Sequence, residues 1–421
     1  RIESPGMNTF YDALETRSTQ AREAALMAAL PRQIANAQQT SPAFASILAG
    51  TDAAGVDTRE ALARLPVTRK YELLERQQAE RTRNVFGGFS ALGFGPDMRR
   101  VFASPGTIYE PEGTRADYWR MARALFAAGF RSGELVHNSF SYHFVPAGSM
   151  METGAHALGC TVFPGGTGQT EQQVQAMVDL QPAGYIGTPS FLKIIVEKAA
   201  ALDTPLPSIT KALVSGEACP PSLRDWLAER GIAAYQCYAT ADLGLIAYET
   251  EAREGLVLDE GVIVEIVRPG TGNPVPEGEV GELVVTTLNP DYPLIRFGTG
   301  DLSAVLPGTC PTGRTNTRIK GWMGRADQTT KVRGMFVHPG QVAEVVRRLP
   351  EVIKARLVVG GEMANDHMTL HLETDSTDPG LAERAGEAVR DITKLRASIE
   401  MLAPGSLPND GKVIEDTRSY Q

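Results

Sequence analysis

From about residue 100 onward, amphipathic stretches alternate with short apolar bursts. Helical spacing covers 115–130, 150–158, 171–179, 191–201 and 221–229. Between and after them stand the strand-like runs 135–140, 161–163, 184–187, 212–215 and 233–237. Such a succession predicts a mostly parallel sheet with helices on both faces, and ligands of such sheets sit at the carboxyl ends of the strands. Residues 8–65 are Ala-rich with helical periodicity and predict two or three helices. Leu65-Pro66-Val67-Thr68-Arg69-Lys70 then reads as a capped entry into a further helix.

Two changes of pattern follow. Over 256–307 the runs Val262-Ile263-Val264-Glu265-Ile266-Val267 and Glu282-Leu283-Val284-Val285-Thr286-Thr287 are separated by Gly/Pro turns, which predicts an antiparallel, barrel-like β subdomain over about 256–323. Beyond Asp327 the pattern becomes strand, helix 339–348, strands 354–359 and 367–373, and helix 380–398, a small α+β domain of about 95 residues. The expected organisation is a large N-terminal domain over 7–326 and a C-terminal domain over 327–421, with the boundary at Gly324–Asp327. No internal repeat or low-complexity segment is seen.

Composition narrows the function classes. The net charge of −9 leaves no basic excess to neutralise a phosphate backbone, which argues against nucleic-acid binding but not against a nucleotide ligand. No run of 18 apolar residues predicts a membrane span, and no basic-then-apolar leader pattern is seen at the start. Cys160, Cys219, Cys237 and Cys310 are scattered without a CxxC pair, the usage of reduced thiols in a cytoplasmic protein.

Three polar signatures carry the chemistry. They are Arg296-Phe297-Gly298-Thr299-Gly300-Asp301, Gly324-Arg325-Ala326-Asp327 continuing to Lys331-Val332-Arg333-Gly334, and Pro408-Asn409-Asp410-Gly411-Lys412. With Gly165-Gly166-Thr167-Gly168-Gln169-Thr170-Glu171 and Gly187-Thr188-Pro189-Ser190, their order resembles the phenylacetate–coenzyme A ligase branch of the adenylate-forming superfamily, from about Leu65 to Arg418. The resemblance implies an α/β N-terminal domain, a small mobile C-terminal lid, and two half-reactions. A carboxylate is adenylated by ATP with Mg²⁺, and coenzyme A then displaces AMP. It also admits a homodimer.

What the resemblance implies for single residues follows. Lys412 is the catalytic cation that stabilises charge at the α-phosphate. Asp301 accepts both ribose hydroxyls, a role that suits a carboxylate because it accepts only and can take two donors at once, and Arg325 also reaches the nucleotide; Arg296 is a structural charge partner. Ser215, Gly216 and Glu217 pack on the adenine, and Tyr238, Ala239 and Thr240 follow the same base, with the Tyr238 ring stacked on it. Asp327 is the hinge, and Lys331, Arg333 and Gly334 face coenzyme A in the second conformation. Phe140, Tyr142, His143 and Phe144 line the acyl pocket, with Pro146 and Met150 at its floor.

This chain also departs from the family pattern. The phosphate loop keeps Ser104, Gly106 and Thr107, but Tyr109 stands for a glycine and Glu110 for a lysine. A carboxylate beside pyrophosphate is electrostatically unfavourable, so Glu110 is expected to turn outward. Asp242 replaces the usual glutamate as Mg²⁺ ligand, and Ala241 replaces a hydroxyl residue. A structural zinc known in some relatives is not expected, because only Cys310 of its ligands remains; Thr312, Thr250 and Val257 fall at the other positions. The expected activity is AMP-forming ligation of an aryl or arylacetic acid to coenzyme A. A carrier-protein or amine acceptor, and a non-catalytic nucleotide- or acyl-binding relative, remain as alternatives.

Overall fold

In the computed structural model, residues 9–217, 219–326, 330–333, 335–337, 339–362, 365–410 and 412–418 are described. A nine-stranded sheet forms the middle of the chain. Its parallel part runs in the spatial order Thr161–Pro164, Leu135–Asn138, Gly184–Gly187, Lys211–Val214, Ala233–Thr240. The remaining strands, Gly244–Tyr248, Leu256–Leu258, Arg318–Ile319 and Val305–Leu306, continue it antiparallel. Chain order reverses beside Leu135–Asn138, whose two neighbours both follow it in sequence. A reversal of that kind opens a crevice above the carboxyl ends of the strands.

The helices Ala147–Leu158, Thr170–Leu180, Pro189–Ala201 and Pro221–Ala228 stand where their periodicity predicts them. They bury apolar stripes such as Leu192, Ile195 and Ala199. Helix 115–130 is shorter than its spacing suggests and covers only Ala122–Ala127. The backbone turns left-handed at Asp117 and Arg120, and the Asp117 carboxylate accepts the Ala122 N–H at 3.2 Å, so the helix begins after that cap. The N-terminal segment forms Thr19–Thr40, Pro42–Ile47 and Arg59–Ala63; Leu26, Leu30, Ile34 and Ala37 of the first join a core with Phe44, Phe89 and Tyr292.

The stretch expected as one barrel-like subdomain is divided between two sheets. Leu256–Leu258 and Val305–Leu306 belong to the nine-stranded sheet, whereas Val262–Val267, Gly281–Thr287 and Phe297–Ser303 join Thr68–Arg69 in a four-stranded one. Val262–Val267 and Gly281–Thr287 are buried at nearly every position, which is why they read as continuous apolar runs.

The contacts divide the chain into two compact units. The first holds 1–265, 284–298 and 305–321; the second holds 266–283, 299–304 and 322–421. Within the second, a four-stranded sheet has the order Ser398–Leu402, Asn365–Glu373, Lys354–Glu362, Ile414–Asp416. Pro339–Arg347 and Leu381–Thr393 complete its α+β arrangement, and Val342, Val345, Leu357, Leu370, Leu381 and Val389 share its core. No helix among the described residues is long and apolar enough to cross a membrane.

Candidate active site

The loops at the carboxyl ends of the parallel strands carry most of the predicted residues of the first unit. Asn138 leads into Ser139 and Phe140, Pro164 into Gly165, Gly187 into Thr188, Val214 into Ser215, and Thr240 into Asp242. Ser215 donates its hydroxyl to the Cys237 carbonyl at 2.9 Å, tying two adjacent loops together. Gly216 has φ +86, and a Cβ there would touch Phe140 and Thr188. Glu217 accepts the Ser190 N–H at 2.8 Å, and Thr188 Oγ1 accepts that of Phe191 at 3.4 Å, so both cap the helix Pro189–Ala201. Tyr238 is half-buried, and a bulge separates it from Ala239. The tight turn from Thr240 to Gly244, in which Thr240 Oγ1 accepts the Leu243 N–H at 3.1 Å, aims Asp242 inward.

The predicted acyl-pocket residues separate by exposure. Phe140 is buried, and its N–H donates to Asn138 Oδ1 at 3.2 Å. Tyr142 is half-buried, its hydroxyl accepting Asn138 Nδ2 at 2.8 Å. His143 is exposed, and Phe144 is 82% exposed with φ +63 while its carbonyl accepts the Ala103 N–H at 2.8 Å. Pro146 and Met150 are buried.

Beneath these loops lies a polar network that the motifs do not announce. His137 stacks on Phe163 at 5.2 Å, and its Nε2 stands 2.7 Å from Gln173 Oε1. Ser139 donates to the same oxygen at 2.9 Å, while Gln173 Nε2 donates to the Gly166 and Gly168 carbonyls at 2.7 and 2.8 Å. Gln173 thereby pins the glycine-rich turn. Gly165 is required there, because a Cβ would lie 2.6 Å from His137 Nε2 and 2.7 Å from Gln173 Oε1. Burial pushes the His137 pKa down, so the ring stays neutral near pH 7.

The phosphate-loop segment is a β-hairpin of Met98–Ser104 and Ile108–Gly113. Gly106 and Thr107 take φ +94 and +61, which strains the β-branched threonine. The helix Lys70–Glu80 holds this turn. Gln77 exchanges two hydrogen bonds with the Tyr109 backbone at 2.8 and 2.9 Å, and Arg81 donates to the Thr107 carbonyl at 2.9 Å.

Glu110 does not turn outward. It is fully buried, because two-residue alternation places it on the same face as Ser104, Ile108 and Glu112. Glu112 is well satisfied, by Arg100 at 2.9 Å and by Trp119 and Ser149 at 2.7 Å. Glu110 accepts a long bond from Ser104, 3.3 Å, and lies within hydrogen-bonding reach of the Asp242 carboxyl, while its Oε2 has no donor among the other described residues. Asp242 is its neighbour, is 3% exposed, and has an Oδ1 likewise unpartnered. Lys70 Nζ stands 3.9 Å from Asp242 Oδ2. Burial first, and the Asp242 carboxylate next, push the Glu110 pKa well above the usual carboxylate range.

In the second unit, Asp301 Oδ1 accepts from Arg325 Nη1 at 3.0 Å and from the Trp322 indole at 3.1 Å. The backbones of Asp301 and Arg325 also form an antiparallel bridge. Gly300, at φ +74, leaves room for the guanidinium; a Cβ would lie 2.5 Å from Arg325 Nη2. Asp301 and Arg325, each predicted to reach the nucleotide, are thus paired within this unit. Lys412 is half-exposed at the start of the segment entering Ile414–Asp416. Its N–H donates to Asp410 Oδ1 at 3.1 Å and its carbonyl accepts from Arg356 Nε at 3.2 Å. Arg356 also pairs with Asp410 and Glu415, so this 4%-exposed arginine anchors the turn. Arg333 donates its N–H to Asp366 Oδ2 at 3.0 Å. Asp327, Gly334 and the side chain of Lys331 lie outside the described residues.

Sequence comparison decides the family. Residues 116–289 match the family model described as AMP-binding enzyme. The phenylacetate-coenzyme A ligase of Thermus thermophilus is 30% identical over 95% of this chain and 96% of that protein. The chain belongs to the phenylacetate–coenzyme A ligase family. The Escherichia coli phenylacetate-coenzyme A ligase is 32% identical over 80% of this chain and 79% of its own. In fold, the chain is similar to the crystal structure of 2-hydroxyisobutyryl-CoA ligase in an open conformation with 2-HIB-AMP and CoA. The TM-score is 0.73 at 24% identity, covering 96% of this chain and 93% of that one.

Cys310 Sγ meets the hydroxyls of Thr312 at 3.0 Å and Thr250 at 3.5 Å, a hydrogen-bonding set in place of thiolate ligands. Glu110, Asp242 and Ser104 offer oxygen donors, which suits a hard divalent cation. Among the described residues no group of three or more His, Cys, Asp or Glu could hold a metal. A pair of carboxylates fits Mg²⁺, which is usually completed by phosphate oxygens and water.

Proposed function

We propose that the chain ligates an aryl or arylacetic acid to coenzyme A through an acyl-adenylate. The observation that carries the reading is its kinship, over nearly its whole length, to proteins named phenylacetate-coenzyme A ligase. In the first half-reaction a carboxylate oxygen attacks the α-phosphorus of ATP and pyrophosphate leaves. In the second, the coenzyme A thiolate attacks the acyl carbonyl and AMP leaves.

Asp301, oriented by Arg325 and Trp322, accepts the ribose hydroxyls. Tyr238 stacks on the adenine, with Ala239 and Thr240 beside it, while Ser215, Gly216 and Glu217 shape its edge. Ser104, Gly106 and Thr107 lie along the phosphates. The ammonium of Lys412 stabilises the charge that builds on the α-phosphate and entering carboxylate. Phe140 and Tyr142 are the better-buried candidates for the acyl wall, with His143 and Phe144 at its outer side. Mg²⁺ bound with ATP would neutralise phosphate charge, held by Asp242. The C-terminal domain over 327–421 acts as a lid that turns about Asp327 and brings Lys331, Arg333 and Gly334 to coenzyme A.

The test is pyrophosphate release with Mg·ATP across benzoic, phenylacetic, indoleacetic and aliphatic acids, with and without coenzyme A. Release with an aromatic acid, together with its coenzyme A thioester, is expected. Release without a thioester would point to another acceptor, and silence with every acid from folded protein would overturn the ligase reading.

A further inference from the structure

Glu110 is the residue that the ordinary phosphate-loop chemistry leaves unexplained. Its carboxyl group and that of Asp242 are buried neighbours within hydrogen-bonding reach of each other, and each holds one oxygen that no other described residue satisfies. Tyr292, also fully buried, packs into the core shared by Ile108 and Leu243, and its hydroxyl is likewise unpartnered. Lys70 is the positive charge that acts on Glu110 most, and its Nζ stands 3.9 Å from Asp242 Oδ2. The pair lies beside a loop whose reading is phosphate binding.

Two buried carboxyl groups this close, with no other donor to satisfy them, are suited to a group that binds both. The oxygen donors that the described residues bring together are the Glu110 and Asp242 carboxyls and the Ser104 hydroxyl, with the Tyr292 phenol close enough to feel both carboxylates. That set selects a hard divalent cation over a soft metal. A divalent ion held there would bring positive charge to face the loop.

We infer that Glu110 and Asp242 together ligate the divalent cation that accompanies ATP, so that Glu110 contributes through a bound metal the positive charge a lysine would carry directly. The inference rests on the ligase reading for the identity of the nucleotide. It explains why the hairpin is fixed so closely by Gln77 and Arg81, because an inward carboxylate at position 110 must stay in register with Asp242. Lys70 remains on the other oxygen of Asp242, where it limits repulsion before the ion arrives.

The test uses Mn²⁺ as the probe and the resonance of the aquated ion as the readout. Purified full-length protein is titrated with Mn²⁺, alone and with an α,β-methylene analogue of ATP that cannot be adenylated. The wild type is expected to take up one Mn²⁺ beyond that held by the free analogue. Glu110→Gln and Asp242→Asn should each weaken that uptake tenfold or more with unchanged circular dichroism. Uptake within twofold of wild type in Glu110→Gln, or no uptake by the wild type in either titration, would overturn the inference. Should Glu110→Gln fail to fold, the melting temperature of the wild type decides: a rise with Mn²⁺ that Asp242→Asn lacks supports the pair, and no rise overturns it. Analogue binding with Mn²⁺ uptake indifferent to residue 110 defeats only the cation inference, whereas absence of analogue binding defeats the nucleotide reading itself.

Discussion

At the scale of single residues, buried acids set the behaviour of this protein. Asp117 caps the helix Ala122–Ala127 from inside the first unit, and burial raises its pKa from 3.8 to about 7. An acid whose folded pKa is raised holds its proton more tightly folded than unfolded. Its contribution is therefore fully present below about pH 4 and is lost as pH rises towards 7 and above. The loss approaches roughly 4 kcal/mol by linkage, an order-of-magnitude figure. Asp117→Asn, which stays neutral, is expected to flatten this part of the stability profile and to gain relative to wild type at pH 8 over pH 5. Urea unfolding at the two pH values measures it, and an equal difference at both would contradict the shift. Nothing in the sequence marks Asp117, because it lies within a helical period that its own cap interrupts. Glu110 teaches the same lesson in reverse. Its departure from the family pattern is plain in the sequence, but its direction depends on strand alternation in the hairpin, and the electrostatic expectation that it faces solvent fails.

Among the elements, the strand-end loops are where sequence and structure agree best. Apolar bursts and helical spacing locate the parallel strands within a few residues, and the sheet rule then places Ser215, Tyr238 and Asp242 at their carboxyl ends. Less legible is what stiffens those loops. Gln173 and His137 look like a surface glutamine and an isolated histidine until Gly165 and the two glycine carbonyls close around them. Arg356 is equally silent in sequence, yet it holds the turn that carries Lys412. Because that turn is anchored while the lysine stays half-exposed, Lys412→Ala should remove the ammonium without disturbing the domain. The expected outcome is loss of adenylation by at least a hundredfold, with thioester formation from synthetic acyl-AMP largely retained. Parallel loss in both half-reactions would contradict the role assigned to Lys412.

For the whole molecule, the order of motifs along the chain carries the family, and the identity to the phenylacetate-coenzyme A ligases over 95% of its length establishes it. The division into two units is less simple than one cut near Asp327. Strands Val262–Val267, Gly281–Thr287 and Phe297–Ser303 pass from one unit to the other, a consequence of long-range pairing that local periodicity cannot register. The proposed function turns on one step, attack of the acid on the α-phosphate of ATP. The most direct measurement supplies the acid with both carboxylate oxygens labelled with ¹⁸O, together with ATP and coenzyme A, and weighs the products. One labelled oxygen is predicted in AMP and none in pyrophosphate, because the attacking oxygen leaves with the nucleotide when the thiolate displaces it. Label in inorganic phosphate, or a thioester formed with unlabelled AMP, would contradict it.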